Sequence, residues 1–198
     1  MHFSDSIVII YFNTVKYETI NFWRFILMNI ILIGMMGCGK STCGQLLAQK
    51  LGRRFVDTDA LIEQREGRSI PDIFAQEGED YFRDVESAVV RELSQQSNLV
   101  IATGGGIVLR AENVAALRKN GYVVWLNRSP EEIYTKVSMS KRPLGQGGKE
   151  AFLERFAQRE PLYRAAAHLE IPSQDTPRAT VELIHRHWLD LVPTRLED

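Results

Sequence analysis

The segment Gly34–Ser41 gives the clearest indication of a chemical function in the chain. It reads GMMGCGKS, which fits the pattern G-x-x-x-x-G-K-[ST] of loops that bind nucleotide phosphates. Glycines let such a loop bring its backbone amides close to phosphate oxygens, and the helix that follows adds the positive end of its dipole. In this pattern Lys40 reaches the β- and γ-phosphates, and the Ser41 hydroxyl can bind Mg²⁺. The predicted phosphate-binding residues are Gly37, Cys38, Gly39, Lys40, Ser41 and Thr42.

Two acidic residues and a run of glycines follow the next two predicted strands. Asp57 and Asp59 come after Phe55-Val56, and Gly104–Gly106 follow the apolar strand Leu99–Thr103. Residues two apart on an extended segment share one face, so one carboxylate could hold a metal's water shell while the other meets a substrate hydroxyl. The alternative is a solvated turn that caps the next helix, a role that Asp59 could fill. Three consecutive glycines cost backbone entropy, which favours a place where a ligand meets bare backbone.

Three arginines are the cations expected near the same edge of the sheet: Arg83, Arg142 and Arg159. Glu86 follows Arg83 by three residues on a predicted helix, so its carboxylate can orient the guanidinium. A small anionic substrate would use such arginines because a guanidinium binds a carboxylate through two parallel hydrogen bonds. Arg142 lies in a glycine-bearing loop, which is typical of a lid that brings positive charge onto a transferring phosphate. For each arginine, the alternative is a solvated surface position.

An alternation of strands and helices must position these residues. Strands are predicted at residues 30–33, 55–56, 99–103, 122–126 and 168–171. Helices are predicted at residues 41–51, 60–66, 111–119 and 150–166, and from residues 69, 79, 130 and 177 onwards. This alternation predicts an α/β fold on a parallel sheet, in which ligands lie beyond the carboxyl ends of the strands. A chain of 198 residues suits one domain, so we expect residues 29–198 to form it and residues 1–28 to be an extension of unknown role.

Composition limits the classes of partner. The net charge of −1 gives no field of one sign that would favour nucleic acid or a membrane surface. The apolar stretches at residues 6–12 and 22–28 are too short to span a bilayer. The two cysteines, Cys38 and Cys43, form no disulfide framework, which indicates a reducing, cytoplasmic setting. Cys38 is either an oxidisable thiol near the nucleotide or a loop residue that only needs to be small.

The chain resembles the shikimate kinases from Asn29 to about Leu191. The resemblance is carried by GMMGCGKST, FVDTDALIE, LVIATGGGIV, Phe82-Arg83 with Glu86, Arg142-Pro143-Leu144 and Arg159-x-Pro-Leu-Tyr. It implies a P-loop kinase of three layers, with five parallel strands in the order 2-3-1-4-5. It also implies a substrate-binding region at about residues 58–90 and a mobile lid at about residues 138–150.

The resemblance implies transfer of the γ-phosphate of ATP to the 3-hydroxyl of shikimate, giving shikimate 3-phosphate and ADP in aromatic amino-acid synthesis. The implied catalytic residues are Lys40, Asp59 and Arg142, with Asp59 accepting the hydroxyl proton. The implied shikimate site contains Asp59, Arg83, Gly104, Gly105, Gly106 and Arg159. Ser41 and, through water, Asp57 are implied as ligands of Mg²⁺, and Arg142 and Pro177 as contacts of ATP. We expect a monomer whose partners are shikimate and ATP, without nucleic acid or membrane.

The chain departs from the family pattern around the lid and the adenine. Gly145 stands where a second leucine is usual after Arg-Pro-Leu, and Thr135 or Lys136 is nearest to the position of an adenine-stacking arginine. These departures bear on lid motion and ATP affinity. The sequence leaves two other functions open. One is another small-molecule kinase, such as a gluconate kinase, and the other is a binding protein that kept the fold and lost turnover.

Overall fold

The computed structural model of the protein describes residues 27–136, 148–172 and 174–191. Most of the extension at residues 1–28 lies outside the described residues. The same holds for most of the expected lid, including Arg142 and Gly145. Within the described ranges, no helix combines the length and apolar character needed to cross a bilayer.

Strands and helices alternate along the chain. The strands are β1 (Asn29–Ile33), β2 (Arg54–Asp57), β3 (Leu99–Ala102), β4 (Gly121–Asn127) and β5 (Leu169–Pro172). The helices are α1 (Lys40–Leu51), α2 (Thr58–Glu66), α3 (Ile70–Leu93), α4 (Ala111–Lys119), α5 (Pro130–Lys136), α6 (Gly148–Ala166) and α7 (Pro177–Leu191). A 3₁₀ turn covers Ile107–Leu109.

The five strands form one parallel sheet in the order β2-β3-β1-β4-β5, which confirms the expected order. The central strand β1 reads NIILI and is buried along its whole length. Such a continuous apolar run is typical of a strand that is covered on both faces by helices. In the register of the sheet, Ile31 lies beside Ile101 of β3 and Val123 of β4. The phosphate loop therefore leaves from the middle of the sheet.

Two apolar clusters, one on each face of the sheet, complete a three-layer sandwich. Successive side chains of β1 point to opposite faces, so Leu32 joins one cluster while Ile31 and Ile33 join the other. Helices α1, α5 and α7 and the first turns of α6 cover the Leu32 side. Helices α2, α3 and α4 and the last turns of α6 cover the opposite side. Burial of each large apolar side chain contributes about 1.5–3 kcal/mol to the stability of the fold. The helices on both faces therefore fix the position of the sheet, including the carboxyl ends of its strands.

Helix α3 contains a break that the sequence predicts. Two helices were expected, one from Ser69 and one from Glu79, and Gly78 separates them with a φ of 86°. The Ser69 hydroxyl caps the start of α3 by accepting a hydrogen bond from the Asp72 amide at 3.3 Å. The change of direction brings the rings of Phe74 and Phe82 to a centroid distance of 4.9 Å. The two halves of α3 thus form one wall beside the sheet edge.

Candidate active site

The phosphate loop runs from β1 to α1 through backbone conformations that favour glycine. Gly34, Gly37 and Gly39 have φ angles of 138°, 78° and 101°. A side chain at Gly34 would also place its Cβ 2.7 Å from the Leu126 carbonyl oxygen. Gly39 is the N-cap of α1 and supplies no side-chain acceptor for the first amides of the helix. Because these amides have no acceptor within the helix, they are available to an anion in the loop.

The Lys40 ammonium lies inside the loop. Its Nζ donates hydrogen bonds to the carbonyl oxygens of Gly34 at 2.8 Å and Met35 at 2.9 Å. The Cys38 sulfur lies 3.8 Å from the same nitrogen. The residue is 7% exposed, so the charge is held at the base of the cleft and not in bulk water.

Ser41 and Asp57 meet at the start of α2. The Ser41 hydroxyl donates to Asp57 Oδ2 at 2.5 Å, while Asp57 Oδ1 accepts from the amides of Asp59 at 3.0 Å and Ala60 at 3.4 Å. Asp57 is therefore the helix cap, and the alternative that Asp59 caps this helix is wrong. Asp59 lies in the first turn of α2, so the expectation of one extended segment for the two carboxylates is also wrong. Capping by Asp57 starts the helix at Thr58, two residues earlier than predicted.

The three glycines after β3 each make room for a different part of the site. A Cβ at Gly104 would lie 2.6 Å from Asp59 Oδ1 and 3.0 Å from Glu86 Oε1. A Cβ at Gly105 would lie 3.1 Å from the Met36 amide nitrogen of the phosphate loop. A Cβ at Gly106 would overlap the Arg83 guanidinium. All three glycines also line the cleft described below, so the expectation that a ligand meets this bare backbone stays a prediction.

Arg83 is buried between two carboxylates on its own helix. Its Nη1 donates to Glu86 Oε2 at 2.7 Å, and its Nε and Nη2 contact Glu79 Oε1 at 3.1 and 2.9 Å. The predicted Arg83–Glu86 pair is thus confirmed. Burial opposes the charge on Arg83, but Glu86 and Glu79 outweigh it and raise the pKa of the guanidinium. Burial raises the pKa of Glu86, and Arg83 offsets part of this effect.

Arg159 lies behind the glycine run, on α6. Its Nη1 donates to the Gly105 carbonyl oxygen at 3.3 Å, and the residue is 5% exposed. Within the described ranges it forms no ion pair with a carboxylate. Burial lowers the pKa of Arg159. Tyr163 raises this pKa and so offsets part of the effect, whereas the positive charge of Arg83 lowers it further. Two guanidiniums therefore meet at the glycine run.

One cleft of about 520 Å³ brings most of the predicted site together. It is lined by Gly37, Gly39, Lys40, Ser41, Thr42, Asp57, Asp59, Arg83, Gly104, Gly105 and Gly106 among the predicted residues. Cys38, Arg159 and Pro177 are not among its lining residues. Arg159 instead contacts Gly105, and the Pro177 carbonyl lies 4.0 Å from Cys43 Sγ on α1.

Part of the wall of this cleft consists of residues that the sequence did not single out. Glu63, Ile70, Phe74 and Thr103 line it without having been singled out as site residues. Glu63 Oε1 accepts a hydrogen bond from the Ile70 amide at 2.9 Å, which ties α2 to the start of α3. For Glu63, Ile70 and Phe74 the available signal was their position between Asp59 and Arg83, since both ends of that segment are assigned to the site. For Thr103 it was the position directly before the glycine run.

Neither the cysteines nor the described acidic and histidine residues suggest a cluster of metal ligands. Cys38 and Cys43 are free and buried. Burial raises the pKa of Cys43 to about 11. Within the described ranges, no three His, Cys, Asp or Glu residues are grouped as a protein-only metal site would require. Any metal here would depend on phosphate oxygens and water to complete its ligands.

Comparison with known proteins gives the family of the chain. The family model described as shikimate kinase matches residues 36–188. A shikimate kinase of Symbiobacterium thermophilum is 49% identical over 151 residues, covering 73% of this chain and 86% of that protein. A shikimate kinase of Nitrosomonas europaea is 47% identical over 158 residues, covering 78% of this chain and 75% of that protein.

A solved structure extends the agreement to the fold. The shikimate kinase from Acinetobacter baumannii in complex with shikimate superposes with a TM-score of 0.81 at 38% sequence identity. The match covers 85% of this chain and 96% of that one. From its sequence, its sheet order and these matches, the chain belongs to the shikimate kinase family.

Proposed function

We propose that this protein transfers the γ-phosphate of ATP to the 3-hydroxyl of shikimate, giving shikimate 3-phosphate and ADP for aromatic amino-acid synthesis. One observation carries the proposal. A phosphate loop and a buried, carboxylate-paired arginine lie in the same cleft, on either side of Asp59 and the glycine run. A phosphate donor and a small anionic acceptor therefore have adjacent places, and the acidic side chain between them is suited to handle a proton.

At the nucleotide end, the protein's task is alignment and charge neutralisation. The backbone amides at the start of α1 would hold the β- and γ-phosphates. Lys40 would exchange its bonds to the Gly34 and Met35 carbonyls for bonds to phosphate oxygens. Arg142, in the proposed lid at residues 138–150, would bring its positive charge close to the γ-phosphoryl group that is transferred. Pro177, at the start of α7, would flank the adenine.

At the acceptor end, Asp59 would orient the attacking hydroxyl and take its proton. The shikimate carboxylate would bind Arg83 and Arg159, two guanidiniums that meet at the glycine run. Arg83 is already held in place by Glu86 and Glu79, so little side-chain entropy is lost when the substrate binds. Residues 58–90, which contain Asp59 and Arg83, would then form the substrate-binding region.

The residues present fit a magnesium ion at the junction of α1 and β2. Ser41 and Asp57 offer a hydroxyl and a carboxylate in hydrogen-bond contact, the hard oxygen donors that Mg²⁺ prefers. Ser41 would bind it directly and Asp57 through water. When bound, Mg²⁺ neutralises charge on the phosphate oxygens. Asp57 would keep its second role, since Oδ1 caps α2 independently of Oδ2.

The setting we propose is a monomer in the cytoplasm that uses ATP and shikimate and needs neither nucleic acid nor a membrane. Two free, buried cysteines, one in the phosphate loop and one on α1, suit a reducing compartment. The balance of 24 basic against 25 acidic residues offers no excess charge for a polyanion.

A coupled assay of ADP release, with ATP and Mg²⁺, tests the proposal. We expect release only when shikimate is added, and a panel with gluconate and shikimate methyl ester should show that the free carboxylate is required. Turnover of gluconate at a comparable kcat/KM would assign the chain to another small-molecule kinase activity. Absence of turnover with tight shikimate binding would indicate a binding protein.

A further inference from the structure

Tyr163 on α6 has a hydroxyl beside the catalytic cleft that the proposed function does not use. Its Oη donates to the Gly105 carbonyl oxygen at 2.5 Å. Arg159 Nη1 donates to the same oxygen at 3.3 Å. Tyr163 Oη also lies 3.8 Å from the Met35 sulfur in the phosphate loop. One side chain thus contacts the glycine run directly and reaches the phosphate loop.

The Tyr163 side chain is held in one position by its neighbours, and its hydroxyl can donate a hydrogen bond. The residue is fully buried, and its ring stacks on Trp125 of β4 with a centroid distance of 6.0 Å. It follows Arg159 by four residues, so both side chains lie on one face of α6. A phenol is already protonated at neutral pH, and burial raises its pKa further, so the hydroxyl can donate.

The carbonyl that Tyr163 holds belongs to the central glycine of the run. A Cβ at Gly105 would lie 3.1 Å from the Met36 amide and 3.6 Å from the Gly34 carbonyl oxygen, so this peptide abuts the phosphate loop. The two flanking glycines lie against the residues proposed to bind shikimate: Gly104 lies against Asp59, and Gly106 lies against Arg83. A shift of the Gly105 peptide would therefore change the spacing between the two halves of the reaction site.

We propose that Tyr163 is a positioning residue for the phosphoryl transfer, acting through Gly105 and Arg159. This inference rests on the proposed function. The Tyr163 hydroxyl makes the shorter bond to the Gly105 oxygen and leaves Arg159 with the longer one, so the guanidinium keeps most of its donors for the substrate carboxylate. Without the hydroxyl, Arg159 becomes the sole side-chain donor to that oxygen among the described residues and turns toward it.

Kinetics of Tyr163→Phe test this role, because phenylalanine keeps the ring and removes only the donor. We expect kcat/KM for shikimate to fall roughly fivefold or more, the effect of losing one neutral hydrogen bond, while Kd for ATP changes by less than about twofold. Tyr122→Phe is the matched control. Tyr122 packs on the opposite face of the sheet, against His168 and Trp188, and its variant should match the parent. A lower Tm with unchanged kcat/KM, or equal weakening of ATP and shikimate, would overturn the positioning role.

Hydrogen exchange of the peptide that spans residues 103–107 gives a readout without turnover. In the absence of substrates, Tyr163→Phe should speed exchange in this peptide several-fold and Tyr122→Phe should not. If the parent enzyme fails to phosphorylate shikimate, the proposed function falls, and the exchange rates still decide whether Tyr163 holds the glycine run. Identical exchange in the parent and Tyr163→Phe would contradict the inference.

Discussion

At the scale of single residues, the site is a set of charges held by contacts that fix their direction. Lys40 is held by two loop carbonyls, and Arg83 by two carboxylates. Asp59 lies against Gly104, where the missing Cβ gives its carboxylate room. Preorganised charges of this kind stabilise a transition state without a cost of reorganisation during the reaction.

Lys40→Met tests the charge in the loop. We expect kcat to fall about 10²–10³-fold or more, because a preorganised charge at the transferring phosphate is lost. The fold should persist, since methionine can fill much of the same volume. Lys50→Met is the matched control at the far end of α1. Its ammonium forms an exposed ion pair with Glu182, which contributes little, so activity should stay near that of the parent. Lys40→Met activity within tenfold of the parent would remove Lys40 from the mechanism.

Alanine at two of the glycines should separate the chemical step from substrate binding. Gly104→Ala places a methyl group where the Asp59 carboxylate lies, so it should lower kcat in the same direction as Asp59→Asn. Gly106→Ala displaces the Arg83 guanidinium and should act mainly on KM for shikimate. Steady-state kinetics at saturating ATP measure both. Equal effects of the two variants on kcat and KM would show that the run acts as one unit.

At the scale of elements, the sequence predicts well what is encoded by neighbouring residues. Apolar runs predict the strands, and the helices expected from Ser69 and from Glu79 match the two halves of α3, because caps and periodicity are local. The strand order came from the family resemblance. The contact of Tyr163 with Gly105 spans 58 positions, so no local pattern reports it. The same holds for the space that Gly104 gives to Asp59, which depends on the pairing of β2 with β3.

His168 joins β5 to β4 through its side chain and makes this junction sensitive to pH. Its amide donates to the Val123 carbonyl at 2.8 Å, and its Nδ1 accepts from the Val123 amide at 2.9 Å. That acceptor exists only while the imidazole is neutral. Burial, together with the nearby Arg118, lowers the pKa of His168 below its ordinary value near 6.5.

The sign of the pH effect follows from linkage. Between the lowered folded pKa and about 6.5, the unfolded chain binds more protons than the folded one, so the free energy of unfolding rises with pH. This contribution is complete above about pH 6.5 and is lost as the pH falls through the folded pKa. Denaturant unfolding from pH 5 to 8 should show the slope in the parent and a smaller one in His168→Gln. His187→Gln, at an exposed position on α7, should keep the slope of the parent. An unchanged slope in His168→Gln would contradict this assignment.

At the scale of the whole molecule, the buried central strand carries the site, and its first residues link the sheet to what precedes it. The Leu27 carbonyl accepts from the Asn98 amide at 2.7 Å, next to β3. The Met28 carbonyl accepts from Arg53 Nη1 at 2.8 Å, and the Arg53 guanidinium lies 4.8 Å from the Trp188 ring. Leu27 and Met28, the described residues upstream of Asn29, thus contact the domain through their carbonyl oxygens.

Removal of residues 1–27, so that the chain begins at Met28, tests how far the domain depends on its extension. The Arg53 contact is kept and the Leu27 contact is lost, so the free energy of unfolding should fall by about 0.5–1.5 kcal/mol, the value of one hydrogen bond. For a chain of this size, that corresponds to a Tm lower by roughly a few degrees. kcat and both KM values should stay within about twofold, because Lys40, Asp59 and Arg83 all lie downstream. Calorimetry and steady-state kinetics on the full and shortened chains measure these quantities. A Tm lower by far more, or a loss of kcat, would show that the extension contributes to the folded domain.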